Sequence, residues 1–462
     1  MTKHVTIGSS IAYAAPSAGS YFFYIAMWSI VPGVYGEYFG LPLTSIAAVV
    51  LIIRLFDGVI DISIGYLSDW RRSLGGSRKP WVLAGGIGSV IACYFLFVPP
   101  MPVRTAYYLA WSMAYFLAFT IAEIPHLTWG SELTMDYRRR ARVFGIRNAV
   151  ARTGICVFYA LPLLGGASSA KYTPQVLQSG IHVGALLTAI GLIWALAAAP
   201  AGVPPKIAPG DNWRLLLRSL THNKPLLLYF AAFGCIGLSV GMWSALLFFY
   251  LDSYLGLGER VAVMLLVASV VAGAATPLCL TLIHRTSKST AWAVGVLVFL
   301  IQLIGMLFLA PGGAWWLAFG LVIFAHMCFC CHDIAALSIL GDIIDYGNLK
   351  FHRDRGATYF GLNTLIFKFG IGIGGGMGLG IAGLLGFNPA QHIHSSASIL
   401  GLKLGFIVLP ACFALLGLLM ILRTPITRRR HLVIQRRLEA RVARAAAHGL
   451  QVDTKGLLIV LE

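Results

Sequence analysis

Charged side chains inside apolar stretches are the residues of this sequence whose types and spacing could do chemistry. Arg54, Asp57 and Asp61 lie in one hydrophobic stretch at positions i, i+3 and i+7, so a helix would project all three from one face. A second stretch contributes Glu123, with Thr120 one turn earlier. Ionisable residues are costly inside a membrane, and those found there typically mark ion or substrate pathways.

Neighbouring carboxylates cannot all stay ionised where the dielectric constant is low, so these acids need a proton, a metal cation or a basic partner. By extension from Ca²⁺ and Mg²⁺, a small hard cation such as Na⁺ prefers oxygen ligands. The side chains of Asp57, Asp61, Thr120 and Glu123 offer only oxygen atoms, and a carboxylate could carry H⁺ instead. We predict a Na⁺ or H⁺ site at these four residues. The alternative is an ion-pair network with Arg54 that only joins helices.

Two further ionisable residues lie in apolar stretches later in the chain. Lys368 stands between Phe367 and Phe369. It could neutralise the acids from the other half of the protein or contact a solute, and a purely structural pair between the halves is the alternative. Asp333 is a second candidate solute contact.

The composition indicates which class of protein presents these residues. Only 11% of the 462 residues are charged, whereas soluble proteins carry about 25%. Hydrophobic residues make up 58%, and the mean hydropathy is +0.80. These values exclude a disordered chain and argue against a soluble enzyme. Eight cysteines are too few for a disulfide scaffold, and the basic residues are too sparse for a nucleic-acid partner.

Twelve stretches are long and apolar enough for membrane helices, which need about 20 residues each. They cover residues 11–36, 43–67, 80–100, 104–130, 143–166, 179–201, 225–251, 260–283, 289–310, 314–340, 357–386 and 398–422. The alternation typical of a membrane β-barrel is missing. We therefore predict an all-α polytopic membrane protein with twelve transmembrane helices in two six-helix bundles.

The basic residues predict the orientation of these helices. With both termini in the cytoplasm, 29 of the 35 Lys and Arg residues fall on the cytoplasmic side and three fall outside. Because cytoplasmic loops are enriched in Lys and Arg, this asymmetry predicts a multi-pass protein of the inner (cytoplasmic) membrane with both termini inside.

The chain divides into two halves and a tail. We predict bundles at residues 1–202 and 225–422, a central cytoplasmic loop at 203–224 and a basic cytoplasmic tail at 423–462. The runs Glu132–Tyr137 and Asp342–Tyr346, each followed by basic residues, form a weak internal repeat. Such repeats are common in transporters. The tail could contact anionic membrane lipids; the alternative is a solvated cytoplasmic end.

Several separated motifs carry a resemblance to a known family. They are Arg54-Leu-Phe-Asp57 with Asp61 and Gly65, Asp69 with Arg71 and Arg72, Lys79-Pro-Trp81, Glu123-Ile-Pro125, Glu132 to Tyr137 with Arg140 and Arg147, Asp342-Ile-Ile-Asp345-Tyr346, and Lys368-Phe-Gly370. Over nearly its whole length the chain resembles the melibiose-permease-like symporters, the glycoside–pentoside–hexuronide:cation symporter family of the major facilitator superfamily.

This resemblance implies roles for individual residues. It implies a cation site at Asp57, Asp61, Thr120 and Glu123, and it places Arg147 and Lys368 near the substrate. The cytoplasmic gate elements that it implies are Asp69, Arg71, Arg72, Arg140, Asp342 and Asp345.

Three positions depart from the family's sugar permeases. Tyr21 stands where they have an aspartate on helix one. Leu127 stands where they have a tryptophan, with Trp129 two residues further on, and Ile60 replaces an asparagine. Tyr21 and Trp129 are therefore further candidate substrate contacts, and the cation motif is better preserved than the sugar motif.

These observations together predict a secondary active transporter and not an enzyme. It would couple symport of a sugar- or glycoside-like solute to Na⁺ or H⁺ by alternating access, with no cofactor besides the coupling ion. A non-sugar solute, such as an amphipathic, lipid-like or organic acid molecule, is the alternative. The sequence has no G-x-x-x-x-G-K-[ST] motif for ATP binding. Gly370, Gly374 and Gly378 fit close helix packing in a membrane.

Overall fold

The computed structural model describes residues 6–134, 137–164, 170–202, 220–351, 356–391, 394–424 and 428–447, and every regular element in these ranges is helical. The predicted all-α class is confirmed. The first half contains α1 (Ile7–Ala14), α2 (Pro16–Ile25), α3 (Val31–Glu37), α4 (Leu43–Ser73), α5 (Lys79–Phe97), α6 (Thr105–Glu132), α7 (Tyr137–Leu164) and α8 (Pro174–Ala198). The second half contains α9 (Lys224–Phe249), α10 (Gly258–Ala274), α11 (Thr276–Arg285), α12 (Lys288–Leu307), α13 (Trp315–Phe351), α14 (Gly356–Leu384), α15 (Ser396–Lys403) and α16 (Leu409–Leu422), and the tail forms α17 (Arg428–Ala447).

Nine helices in the described part of the chain are long and apolar enough to cross a membrane. They become ten if α10 and α11, which are bent by 42° at their junction, are one span. The first predicted span is divided into three helices, with prolines in the first turns of α2 and α3. The predicted fifth span corresponds to α7, which carries six arginines. A multi-pass membrane protein is thus established, whereas the total of twelve spans stays a prediction.

The helices pack mainly within each half. In the first half α2 packs on α7 and α8, and α6 packs on α4 and α5. In the second half α9 packs on α14 and α16, and α13 packs on α10 and α12. The two halves meet chiefly where α4 crosses α14 and where α7 crosses α10. Side chains of a site between the two halves would therefore come mainly from α4 and α14.

Glycines on α14 allow it to approach both of its neighbours. A Cβ at Gly372 would collide with the Arg54 side chain of α4, and one at Gly376 would collide with Leu51. On another face, Gly370 lies against the backbone of Gly237 in α9, where a Cβ would come within 3.1 Å. The small residues of α14 thus serve helix packing, and they bring the charged stretch of α4 against Lys368.

Among the described residues, the halves pack closely at one end of the α4–α14 crossing. At the end predicted to face outside, the Phe248 ring of α9 packs on Gly33 of α3 and lies 6.3 Å from the ring of Tyr172. Beyond Asp61, the space around Gly65 of α4 and Gly361 of α14 is open, because no described atom lies within 4 Å of a Cβ at either position. The structure is therefore closed at the predicted outer end and open toward the predicted cytoplasmic end.

Candidate functional site

Arg54 and Asp57 form a buried ion pair on α4. Arg54 Nη1 donates a hydrogen bond of 2.9 Å to Asp57 Oδ2, and their side chains are 5% and 6% exposed. The guanidinium also lies 4.4 Å from the centre of the Trp28 ring and 5.0 Å from that of Phe116. Asp57 Oδ1 has no hydrogen-bond partner among the described residues. One oxygen of Asp57 is thus neutralised while the other keeps its lone pairs.

Asp61 joins the two halves of the protein. The Thr120 hydroxyl of α6 donates a 3.1 Å hydrogen bond to Asp61 Oδ1. Lys368 of α14 donates a hydrogen bond to Asp61 Oδ2. The Asp61 carboxylate therefore accepts hydrogen bonds from a hydroxyl of the first half and from an ammonium of the second half. Lys368 is therefore paired with an acid of the other half, which fits both a functional neutralisation and a purely structural pair, and its contact with a solute stays a prediction.

Glu123 has a separate set of partners. Its Oε1 accepts a hydrogen bond of 3.0 Å from the hydroxyl of Tyr21 and a second hydrogen bond from Arg147. The Arg147 guanidinium lies 5.6 Å from the centre of the Tyr21 ring. Tyr21 therefore supplies a hydroxyl where the resemblance implies a helix-one carboxylate, and Arg147 neutralises the single acid that remains.

The arrangement gives each of the three central acids its own basic partner. Asp61 and Thr120 contact each other directly, and Asp57 is one helical turn away from Asp61 on α4. Within the described ranges, no three His, Cys, Asp or Glu side chains are close enough to hold a metal ion together. All three acids are therefore paired in this structure, and cation binding by Asp57, Asp61, Thr120 and Glu123 stays a prediction.

Trp129 does not lie with these residues. It is fully buried at the other end of α6, where its indole Nε1 donates a 2.8 Å hydrogen bond to the carbonyl of Pro200 and its ring packs on Tyr13. Position 129 is almost two helical turns beyond Glu123, which moves it away from the central acids. The structure thus gives Trp129 a packing environment distant from Glu123.

Asp333 lies in the middle of α13 with an exposed side chain, and it forms no hydrogen bond or ion pair within the described residues. Its charged neighbour is Arg152 of α7. Arg152 is also exposed, and its Nη1 donates a long bond of 3.4 Å to the carbonyl of Ser269 in α10. The sequence pattern does not single out Arg152, because six arginines between positions 138 and 152 resemble a cytoplasmic loop.

The predicted gate of the first half is an ion-pair network. Arg72 Nε donates a 3.0 Å hydrogen bond to Glu132, and so does Arg78 Nε. Arg78 also pairs with Asp69 at 2.6 Å, whereas Arg71 is exposed. Arg78 and Glu132 are the centre of this network, and Glu132 was not predicted as a gating residue. The side chain of Arg140 lies outside the described residues.

The predicted gate of the second half contacts the tail. Lys288 donates a 2.6 Å hydrogen bond to Asp342. His431 of α17 lies 3.3 Å from Asp342 and 3.2 Å from Asp345, and Arg441 donates a 2.9 Å hydrogen bond to the carbonyl of Leu349. The tail helix is therefore docked on the end of α13 that is predicted to face the cytoplasm. Membrane lipid contact by the tail stays a prediction.

Comparison with known proteins agrees with this architecture. A model of the MFS/sugar transport protein family matches residues 11–428. An uncharacterized symporter of Synechocystis is 23% identical, with 87% of this chain and 91% of that protein covered. The glucuronide carrier protein homolog of Escherichia coli is 24% identical, with 85% and 87% covered.

A solved structure shows the same fold. The inward-facing, unoccupied structure of a bacterial homolog of the human lysosomal transporter Spinster superimposes with a TM-score of 0.63. The superposition covers 92% of this chain and 98% of that one, at 14% sequence identity. The similarity extends over both halves and is not confined to one bundle.

Proposed function

Because this chain belongs to the MFS/sugar transport protein family, we propose that it couples Na⁺ or H⁺ entry to symport of a sugar- or glycoside-like solute by alternating access. The family is one of membrane transporters and not of enzymes, and the relatives are symporters and carriers. The resemblance recognised in the sequence is thereby confirmed. The coupling ion, the solute and the residues that bind them are the proposed part.

The observation that carries the proposal is the position of Asp61 between the halves. Its carboxylate accepts from Thr120 of the first half and Lys368 of the second. A cation that binds Asp61 competes with the Lys368 ammonium, because both need the same negative charge. Cation binding therefore changes the contact between the halves, which is the link that coupled transport requires.

The same exchange links the cation to the solute. Lys368, once displaced from Asp61, becomes a donor for hydroxyl or carboxylate oxygens of a bound solute. Arg147 and Tyr21 approach from the other half, and charge-assisted hydrogen bonds of this kind suit sugar hydroxyls. The glucuronide carrier homolog among the relatives favours a sugar-like solute.

The driving force is sufficient for accumulation. A monovalent cation that enters through 100 mV releases about 2.3 kcal/mol. A tenfold concentration gradient adds about 1.4 kcal/mol, and together they support roughly 500-fold accumulation at full coupling.

The test has two stages. Purified protein is first screened by thermal shift against sugars, glucuronides, organic acids and lysolipids, with and without Na⁺, and the stabilising compound is then supplied to proteoliposomes under imposed Na⁺ or H⁺ gradients. We expect a sugar or glycoside to be accumulated against its gradient under one of these ions. Accumulation of an organic acid or lysolipid instead would support the non-sugar alternative, and uptake that ignores both ion gradients would refute symport.

A further inference from the structure

A buried charge cluster joins the two halves at the end of the bundle predicted to face outside. Lys171, in the segment between α7 and α8, donates a 2.7 Å hydrogen bond to Glu37 Oε1 at the end of α3. The same ammonium lies 3.3 Å from Asp252 Oδ1, which belongs to the π-helical turn after α9. The cluster thus contains two carboxylates and one ammonium, drawn from both halves.

The residues around the cluster supply few hydrogen-bond donors for the negative charge of Asp252. The Asp252 side chain is 1% exposed. Among the described residues, no donor is hydrogen-bonded to either oxygen of Asp252 or to Glu37 Oε2. A side chain at Gly258, the first residue of α10, would collide with both Asp252 and Lys171, so α10 lies close against this part of the cluster.

Other titratable groups lie beside the cluster, and Lys403 is 5.7 Å from the ring of Tyr254, two residues beyond Asp252. Tyr38 places its ring 5.8 Å from the Lys171 ammonium. His394 contacts the carbonyl of Ser253, the neighbour of Asp252, at 3.4 Å. Partial burial lowers the pKa of Lys171, but the hydrogen bond to Glu37 and the charges of Asp252 and Glu37 outweigh it and leave that pKa raised. Lys171 therefore stays protonated and can neutralise only one of the two acids.

We propose that Glu37 and Asp252 form a proton-binding site that closes the outer gate by holding one shared proton between their carboxylates. Two acids that share a buried site cannot both ionise at low cost. A proton on one of them supplies a donor for the other and cancels the uncompensated charge. When the outer end opens, water solvates both acids and the proton leaves. External acid therefore favours the state that is closed outside and open to the cytoplasm.

This proton site is separate from the coupling site at Asp61, although the inference rests on the alternating access of the proposed function. The experiment uses the full chain with its native cysteines replaced and spin labels at Met101→Cys and Leu384→Cys. Both positions are exposed at the predicted outer end, one in each half. Distances between the labels are measured from pH 5 to pH 9, without solute and without Na⁺.

We expect the ratio of closed to open populations to fall up to tenfold per pH unit above the midpoint, as release of one proton requires. Asp252→Asn and Glu37→Gln should each favour the closed population at every pH, because a neutral side chain mimics the protonated acid. Glu259→Gln, an exposed acid at the start of α10, should keep the wild-type pH dependence.

Two outcomes would overturn the proposal in distinguishable ways. Two populations whose ratio ignores pH, or an unchanged pH dependence in both Asp252→Asn and Glu37→Gln, would refute the proton site and leave alternating access standing. A single distance at every pH and in every variant would refute both.

Discussion

Lys368 of α14 donates a hydrogen bond to Asp61 of α4, and the two residues are 307 positions apart in the chain. The bond closes only where α4 crosses α14, so it exists in the arrangement that is closed outside. Lys368 occupies the carboxylate oxygen that a coupling cation would otherwise contact. The effects of replacing Asp61 and of replacing Lys368 can therefore be tested separately.

Asp61→Asn should abolish uphill accumulation of the solute while leaving the protein in the membrane. An amide carries no negative charge to attract a cation in place of the Lys368 ammonium, so the ion gradient no longer drives the solute. We expect the accumulation ratio in proteoliposomes to fall from hundreds to about one, because the ion supplies all of the driving force. Glu259→Gln is the matched acid-to-amide control. Undiminished uphill uptake in both Asp61→Asn and Asp57→Cys would refute the proposed cation site at these two residues.

Glu123→Gln should destabilise the protein more than an exposed substitution does. Its partner Arg147 is 2% exposed, and removing the carboxylate leaves that guanidinium buried without a counter-charge. Breaking one side of a buried pair costs about 3–5 kcal/mol. The double variant Glu123→Gln with Arg147→Gln should recover part of this loss, which double-mutant unfolding measurements detect as a coupling energy. Additive effects of the two substitutions would show that the pair is not coupled.

Arg152→Gln should weaken solute binding with little change in stability. The Arg152 side chain is exposed and has one long bond to a backbone carbonyl, so a solute can compete for it at low cost. We expect KM to rise about tenfold, the equivalent of one hydrogen bond to a charged group, with Tm unchanged. Arg152→Lys should restore part of the affinity. If KM is unchanged in Arg152→Gln and in Asp333→Asn, neither residue contacts the solute.

The sequence predicted which residues share a helix face better than it predicted their partners on neighbouring helices. The spacing of Arg54, Asp57 and Asp61 placed them on one face of α4, and the structure has them there. The pairing of Asp61 with Lys368 depends on a crossing that no local pattern encodes. Trp129 was predicted as a substrate contact because it lies only two residues after Leu127. Two residues of a helix, however, turn a side chain by about 200° around the helix axis.

The charge pattern was misleading where arginines inside a helix resemble those of a cytoplasmic loop. Arg147 and Arg152 count as cytoplasmic in the charge pattern because four arginines lie shortly before them, between positions 138 and 142, yet both lie well inside α7. The buried position of Arg147 follows from Glu123, its partner on another helix. The docking of α17 through His431 likewise had no sequence signal, since a lone histidine in a basic tail resembles solvated surface.

Gly376→Leu should shift the protein toward the state that is open outside. A Cβ at Gly376 would already collide with the Leu51 side chain of α4, and a leucine adds three more carbon atoms at that crossing. The state closed outside requires the contact, whereas separation of α4 from α14 relieves it. We expect the outer labels at positions 101 and 384 to favour the longer distance by about five- to 150-fold, since overpacking costs typically 1–3 kcal/mol. Gly361→Leu is the matched control on the same helix, because no described atom lies within 4 Å of a Cβ there. Equal distance distributions in the two variants would show that the α4–α14 crossing does not close the outer end.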